Sequence, residues 1–187
     1  MRYENPLIVQ SDKTLLLDVH APRADECRMA LIPFAELERS PEHLHTYRLT
    51  PLSLWNACSA GIEVQKIIDV LEDFSKYDVP QSVKVWVSTT ATRFGKIVVR
   101  ALEEKKSDEK YLVLKCATGS IYKEIQSYPS IAKHLIPCEL ENSFLIELTY
   151  RGTIKQELLK MGWPVKDEAP LKEGSPLESH LRSTTLD

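Results

Sequence analysis

The sequence predicts an α+β fold, in which an N-terminal hairpin and a winged-helix-like unit precede a small α/β sandwich. Helical patterns alternate with short aliphatic runs that have the length of strands, and a charged loop near residue 106 separates two sets of elements. Of the 187 residues, 43% are hydrophobic and 27% are charged. This composition is typical of globular proteins and excludes disordered and fibrous classes.

The first elements are predicted to be a hairpin and a helix. Leu7-Ile8-Val9 and residues 15–19 are apolar runs on either side of the turn-like Ser11-Asp12-Lys13. A helix is predicted from Pro22 to about Leu37, and Pro33 is expected to bend or end it.

Residues 44–102 contain the clearest helix signals. After an extended piece at 45–49, Thr50 offers a capping hydroxyl and Pro51 suits the first helical position, while Gly61 suits the left-handed end of the helix. A second helix is predicted from an apolar stripe with helical spacing. Its members are Val64, Ile67, Ile68, Leu71 and Phe74.

Residues 81–94 leave two alternatives open. Val83, Val85 and Val87 alternate as in a strand, but the segment also fits helical spacing. Strands are predicted after Gly95, at 96–100, and again at 111–114. If 81–94 is a helix, the order is that of a winged helix with these two strands as its wing.

The C-terminal half predicts a second unit of strand, helix, strand and helix. Its elements are a strand at 111–116, a helix from Ser120 to Leu135, a strand at 144–148 and a helix over 153–161. Thr153 and Gln156 have the spacing of a capping box. We therefore predict domains at 1–106 and 107–165, followed by a linker at 166–187, where periodicity stops.

Charge and motif content exclude several functions. The 24 Lys and Arg against 27 Asp and Glu give a net charge of −3, so any DNA binding is expected to be weak and local. The P-loop pattern is absent, the four cysteines form no C-x-x-C pair, and His43 and His45 lack a nearby third ligand. We expect no catalytic residue, metal or cofactor in this chain.

No signal peptide and no run of about 18 apolar residues are present, which predicts a cytoplasmic protein without membrane contact. The candidate DNA contacts are four cations on the third helix and the wing, where a winged helix meets phosphates. They are Lys84, Arg93, Lys96 and Arg100. Solvated surface charge is the competing interpretation of these four residues.

Several short motifs occur together in an order that resembles XPB-type DNA repair helicases, in particular their bacterial members. The motifs are residues 6–14 (PLIVQSDKT), residues 45–57 (HTYRLTPLSLWNA) with Gly61, Tyr77-x-Val79-Pro80, residues 93–96 (RFGK) and residues 158–164 (LLKMGWP). The similarity covers nearly the whole chain. The family motif and core positions are Tyr47, Arg48, Thr50, Pro51, Trp55, Gly61, Gly95, Gly162 and Trp163.

The resemblance implies a non-catalytic N-terminal region ahead of a helicase core. In this family, ATP and Mg²⁺ are bound by two RecA-like domains, so a helicase core in cis or in trans is an expected partner. The segment around 110–165 corresponds to the family's damage-recognition domain, and the resemblance favours a helix at 81–94.

Two functions follow as alternatives. The first is a DNA-engaging region that positions a helicase core in DNA repair, with nucleoid association expected in a bacterium. The second is a docking module that binds a repair or transcription protein and does not touch DNA. The segment 44–102 supports it, since it corresponds to the part of eukaryotic relatives that docks onto a core subunit of TFIIH.

Overall fold

Two β-sheets organise the chain, and each is the base of its own hydrophobic core. The computed structural model describes residues 4–102 and 110–170. The strands are β1 (Leu7–Val9), β2 (Thr14–Asp18), β3 (Glu36–Arg39), β4 (Leu44–Arg48), β5 (Ile97–Ala101), β6 (Tyr111–Cys116), β7 (Ile136–Pro137), β8 (Ser143–Glu147) and β9 (Val165–Asp167). The helices are α1 (Ala24–Leu31), α2 (Pro51–Ser59), α3 (Val64–Phe74), α4 (Gln81–Ala91), α5 (Gly119–Gln126), α6 (Pro129–Ala132) and α7 (Arg151–Lys160). The α+β class is thereby confirmed.

The N-terminal sheet has the strand order β1-β2-β4-β3, and all its pairs are antiparallel. The predicted hairpin is confirmed as β1 and β2, with Leu7 opposite Leu17. Alternate residues of the strands pack against the four helices α1 to α4 and form the first core. Its fully buried members include Leu15, Leu17, Leu54, Ile67, Leu71, Val83 and Val87.

Helix α2 begins where the local signals predict it. The Thr50 hydroxyl accepts a hydrogen bond from the Ser53 amide at 3.0 Å, and the Ser53 hydroxyl accepts one from the Thr50 amide at 3.0 Å. This reciprocal capping box and Pro51 at the first turn satisfy or remove the N–H groups that a helix start leaves unpaired. After α2, Gly61 adopts a φ of +89°, which a glycine tolerates without a Cβ clash.

The segment 81–94 contains helix α4, so the strand alternative is wrong. Val83, Val87 and Ala91 are buried at intervals of four residues, whereas Val85 is 51% exposed. Burial therefore follows the helical period, and α4 packs on α2 and α3.

The C-terminal sheet has the strand order β7-β8-β6-β5-β9, with β9 parallel to β5 and the other pairs antiparallel. Helices α5, α6 and α7 cover one of its faces. The second core lies between them and includes Ile97, Val99, Leu114, Phe144, Ile146, Ile125, Ile154 and Leu158.

The winged-helix arrangement is not confirmed. Strands β5 and β6 pair as predicted, but they are interior strands of the five-stranded sheet, and Ile97 and Val99 belong to the second core. The predicted boundary between 1–106 and 107–165 falls within 103–109, outside the described residues. The domain division therefore stays a prediction.

Two predicted helices are shorter in the structure than the sequence suggested. Helix α1 ends at Leu31, and Glu36–Arg39 is an exposed edge strand paired with β4, because Pro33 interrupts the helix. The predicted helix from Ser120 to Leu135 is two helices, α5 and α6. Its break lies before Pro129, which disfavours helical backbone at the preceding residue.

Two predictions near the C-terminus are wrong. Helix α7 begins at Arg151, so Thr153 lies inside its first turn and does not cap it. Lys166 and Asp167, the first residues of the predicted linker, belong to strand β9. The remainder of the predicted linker, from 171 on, lies outside the described residues. Within the described part of the chain, no helix is long and apolar enough to span a bilayer.

Candidate nucleic-acid interface

Lys84 lies on α4 and faces α3. Its ammonium group forms an ion pair with the carboxylate of Glu72. The Lys84 side chain is only 29% exposed. This predicted DNA contact is thus occupied by an interaction between two helices of the first core.

Arg93 follows α4 and reaches across to the segment after α7. Its Nη1 donates a hydrogen bond to the carbonyl of Gly162 at 3.1 Å, and its guanidinium carbon lies 5.2 Å from the centre of the Trp163 ring. The contact joins the elements around the first core to those around the second. Arg93 is therefore a structural link as well as a candidate cation.

Trp163 is also held by a residue of α5. Its indole N–H donates to Oε1 of Glu124 at 2.9 Å, and the Tyr128 hydroxyl donates to the same oxygen at 2.6 Å. The hydrogen bond from Tyr128, followed by that from Trp163, lowers the pKa of Glu124 below its ordinary value. A charged Glu124 thus orients the ring on which Arg93 lies.

A crevice of about 300 Å³ lies beside this link. It is lined by Trp55 of α2 and Trp86 of α4, and by Arg93 and Gly162, which the link joins. Trp55 itself is 7% exposed and donates its indole N–H to the carbonyl of Thr90 at 2.8 Å. Its predicted place in the core is confirmed, while Trp86 and Trp163 are half-buried.

Lys96 and Arg100 lie on the side of the C-terminal sheet opposite α5 to α7, which we call the outer face. Arg100 alternates along β5 with the buried Ile97 and Val99, and Lys96 directly precedes the strand at the same two-residue spacing from Val98, so both side chains are placed on the other side of the sheet. Lys96 is exposed and Arg100 is half-buried. The structure therefore separates the four predicted cations into three locations.

Two further cations share the outer face and were not predicted from the sequence. Lys115 on β6 and Lys166 on β9 both stand opposite Val98, one on either side of it. Lys115 is exposed, and Lys166 forms an ion pair with Glu168 at 2.7 Å. Along β6, Lys115 shares its side of the strand with Tyr111 and the buried Val113, so the alternation alone did not mark a polar face, and only the pairing with β5 brings Lys115 next to Lys96.

The remaining motif positions have structural roles. Tyr47 is buried in the first core, and Arg48 forms an ion pair with Glu38 at 2.5 Å on the neighbouring strand. Gly95 and Gly162 adopt positive φ angles of +80° and +83°. Gly95 forms the turn directly before Lys96, and Gly162 forms the turn whose carbonyl accepts the hydrogen bond from Arg93.

The described residues hold no group of three His, Cys, Asp or Glu side chains arranged to bind a metal ion. His43 instead lies 2.8 Å from His20, measured between Nδ1 and Nε2. The chemistry that the outer face offers is the binding of anions by ammonium groups.

Comparison with known proteins assigns this chain to a family. The family model described as "Helicase conserved C-terminal domain" matches residues 7–138. The chain is 45% identical over 175 residues to a protein of Kineococcus radiotolerans named "DNA 3'-5' helicase XPB", a match that covers 91% of this chain and 30% of the relative. A protein of the same name from Mycobacterium tuberculosis is 40% identical over 185 residues, covering 98% of this chain and 33% of the relative.

A more distant relative comes from Encephalitozoon cuniculi and is named "General transcription and DNA repair factor IIH helicase/translocase subunit XPB". It is 28% identical over 186 residues, which cover 97% of this chain and 27% of the relative. The chain thus spans about a third of the length of the curated relatives it matches. Since the family model matches well over half of its residues, the chain belongs to the helicase conserved C-terminal domain family and resembles the XPB-type DNA helicases.

Proposed function

We propose that this chain is the non-catalytic, DNA-engaging region of an XPB-type helicase, acting in DNA repair beside a helicase core in cis or in trans. The observation that carries the proposal is the similarity to proteins named as DNA 3'-5' helicases, which extends over 91% and 98% of the chain. It includes both sheets and the segment that links them. The helicase core would bind ATP and Mg²⁺, because this sequence has no P-loop pattern.

The link between the two sets of elements supports a positioning role. Arg93 contacts both Gly162 and Trp163, so the surfaces on either side of it have a defined relative placement. A helicase core attached to this region would then meet DNA in a fixed orientation relative to the outer face. In a DNA-repair setting, we propose a modest preference for distorted duplexes, because such sites cost less free energy to bend or open.

The test is a fluorescence anisotropy titration of the 187-residue chain with intact and bubbled duplexes, at about 50 mM and about 200 mM salt. With a net charge of −3, we expect micromolar or weaker affinity at physiological salt and a log–log salt slope of about −2 to −4. Absence of salt-dependent binding at the lower salt concentration contradicts the proposal.

A specific groove favours protein docking as a second candidate function. It lies between α1 and α3, has a volume of about 620 Å³ and is lined mainly by apolar side chains such as Phe34 and Val70. Met29 on α1 and Ile32 directly after it do not line the groove, but they are 68% and 60% exposed on the same helical segment. A repair or transcription protein with an apolar segment fits this surface, and the candidate predicts a chain that binds no DNA in the titration above.

A further inference from the structure

We infer that the outer face of the C-terminal sheet contacts the phosphate backbone of duplex DNA through Lys96, Lys115 and Lys166. The inference rests on the proposed function and names the surface and the ligand chemistry. Of these three residues, only Lys96 is a cation that the sequence pointed to, since Lys115 and Lys166 join it through strand pairing. The proposed contact surface is therefore the sheet and not α4, the helix with which a winged helix would contact DNA.

The three lysines lie close together because of the register. Lys115 and Lys166 occupy the strands on either side of Val98, and adjacent strands are about 4.8 Å apart, so their Cα atoms are about 10 Å apart. Lys96 precedes Val98 by two residues, on the same face of the same chain segment. Flexible lysine side chains at this spacing reach successive phosphates, which provide one charge per about 1.7 Å of duplex axis.

The charge environment leaves two of these ammonium groups available. Among residues 4–102 and 110–170, no carboxylate forms an ion pair with Lys96 or Lys115. Lys166 is paired with Glu168, but both side chains are almost half exposed. Such surface pairs contribute about 1 kcal/mol or less, so a phosphate can replace the carboxylate.

The acidic residues next to the sheet lie at both ends of β6. Glu147 stands opposite Tyr111, at the far end of β6 from Lys115. Glu139 and Glu141 lie in the loop that leads into β8, near the Lys115 end, because the Cys116 amide donates to the carbonyl of Asn142 and Ser143 stands opposite Lys115. Since this loop lies on the β8 side of β6, the backbone contact is expected on the opposite side, along β5 and β9.

Duplex DNA fits this face better than single-stranded DNA. Single-strand binding surfaces use aromatic side chains on which bases stack. The aromatic residue of this face on β5, β6, β8 and β9 is Tyr111, at the end away from the lysines, and Lys110 already lies 5.5 Å from its ring centre. Because the cluster consists of lysines, whose ammonium groups bind phosphates without reading base edges, the contact is independent of base sequence.

The α4 cations have other partners in the same structure. Lys84 is paired with Glu72, and Arg93 donates to Gly162. Their replacement is expected to change stability and the linkage between the two cores. Lys96 and Lys115 have no ion-pair partner among the described residues, which makes these two lysines the sharper target for a binding experiment.

The experiment compares the double variant Lys96→Glu/Lys115→Glu with the matched control Lys123→Glu/Lys133→Glu. The control lysines are exposed and lie on the helical layer, on the opposite side of the sheet. Both variants change the net charge equally, so long-range repulsion is the same. Anisotropy with a fluorescent duplex at about 50 mM salt measures affinity, and thermal unfolding verifies that each variant folds.

We expect at least about tenfold weaker binding for the outer-face variant, less than about threefold for the control, and a salt slope reduced by about 2. Equal losses in both variants, or no loss in either, overturn the inference while the proposed function stands. Absence of binding by the wild-type chain overturns the proposed function itself. If the glutamate variant does not fold, Lys96→Gln/Lys115→Gln gives the same comparison with a smaller charge change.

Discussion

Arg93 and Gly162 are 69 positions apart in the sequence, and Nη1 of Arg93 donates a hydrogen bond to the Gly162 carbonyl at 3.1 Å. The end of the Arg93 side chain lies close to the backbone at position 162, and this backbone favours glycine. Its φ of +83° is a conformation that other L-residues rarely adopt, and a Cβ there would lie 2.8 Å from Nη1 of Arg93. Glycine at this turn after α7 therefore allows the left-handed backbone and leaves space for the side chain of Arg93.

We predict that Gly162→Ala lowers the free energy of unfolding by about 2–3 kcal/mol. The left-handed backbone costs about 1–2 kcal/mol, and displacement of the Arg93 side chain removes a hydrogen bond of about 1 kcal/mol. Urea unfolding measures the change. Gly152→Ala is the control, because no atom lies within 4 Å of the Cβ position at this helical glycine, and stabilisation by up to about 1 kcal/mol is expected there. Similar effects of the two substitutions would contradict the requirement for glycine at position 162.

We predict that Trp55→Ala destabilises the chain by about 3–5 kcal/mol, the usual cost of truncating a buried tryptophan. The indole is 7% exposed, and its N–H is bonded to the Thr90 carbonyl. Trp55→Phe keeps most of the packing and loses the hydrogen bond, so about 1–2 kcal/mol is expected. Chemical denaturation distinguishes the two. A melting temperature unchanged by Trp55→Ala would mean that Trp55 is exposed and available for docking.

We predict that the contribution of Asp167 to stability depends on pH. Burial alone would raise its pKa, but hydrogen bonds from Arg151 and Lys155, both at 2.6 Å, outweigh burial and lower the pKa below the ordinary 3.8. A lowered native pKa means that the stabilisation is complete above the unfolded pKa and is lost as pH falls through the native pKa. At neutral pH, Asp167→Asn should cost about 2 kcal/mol, because Arg151 and Lys155 lose a largely buried partner.

The measurement for Asp167 is urea unfolding of both proteins between pH 7 and about pH 3. The stability difference should be constant down to about pH 5 and shrink below the ordinary carboxyl pKa. Glu168→Gln is the neighbouring control, since its ion pair with Lys166 is exposed, and less than about 1 kcal/mol is expected. A difference that stays constant to pH 3 would refute the ion-pair interpretation.

We predict that two of the four cysteines are protected from thiol reagents in the native chain. Burial raises the pKa of Cys27 to about 12 and that of Cys116 to about 11, and the two residues are 0% and 1% exposed. Because the thiolate is the reactive form, both should be labelled at least about 100-fold more slowly than in urea. Cys58 and Cys138 are half-buried and serve as internal references.

Mass spectrometry after a labelling pulse measures the four rates. Cys27 belongs to the first core and Cys116 to the second, so unequal protection of the two would support separate opening of the predicted domains. Equal protection at all denaturant concentrations would indicate one cooperative unit.

Features determined by nearby residues could be predicted from the sequence. The start of α2 depends on Thr50, Pro51 and Ser53, which are close in the chain, and its capping bonds form within one turn. The same holds for the apolar stripe of α3. The prediction for α4 was ambiguous because its valines fit both the two-residue period of a strand and the 3.6-residue period of a helix. Only packing on α2 and α3 decides between these alternatives.

Features determined by distant residues could not be predicted in this way. Strand β9 is three residues long and finds its partner β5 more than 60 positions earlier, so its sequence carries no local signal. The pairing of β5 with β6 was predicted correctly, but their place in the five-stranded sheet depends on the distant strands β8 and β9. For the same reason the lysine cluster of the outer face was found only in part, through Lys96.

The parallel pairing of β9 with β5 has a consequence for synthesis of the protein. The first core is complete once α4 has left the ribosome, whereas the second sheet lacks an edge strand until residue 167 emerges. At elongation rates of about 5–20 residues per second, β5 waits roughly 4–15 s with one unpaired edge. During that interval the nascent chain exposes the edge of the aliphatic strand β5 beside the folded first core. This is the stage at which β5 would be open to chaperone binding or to incorrect strand pairing.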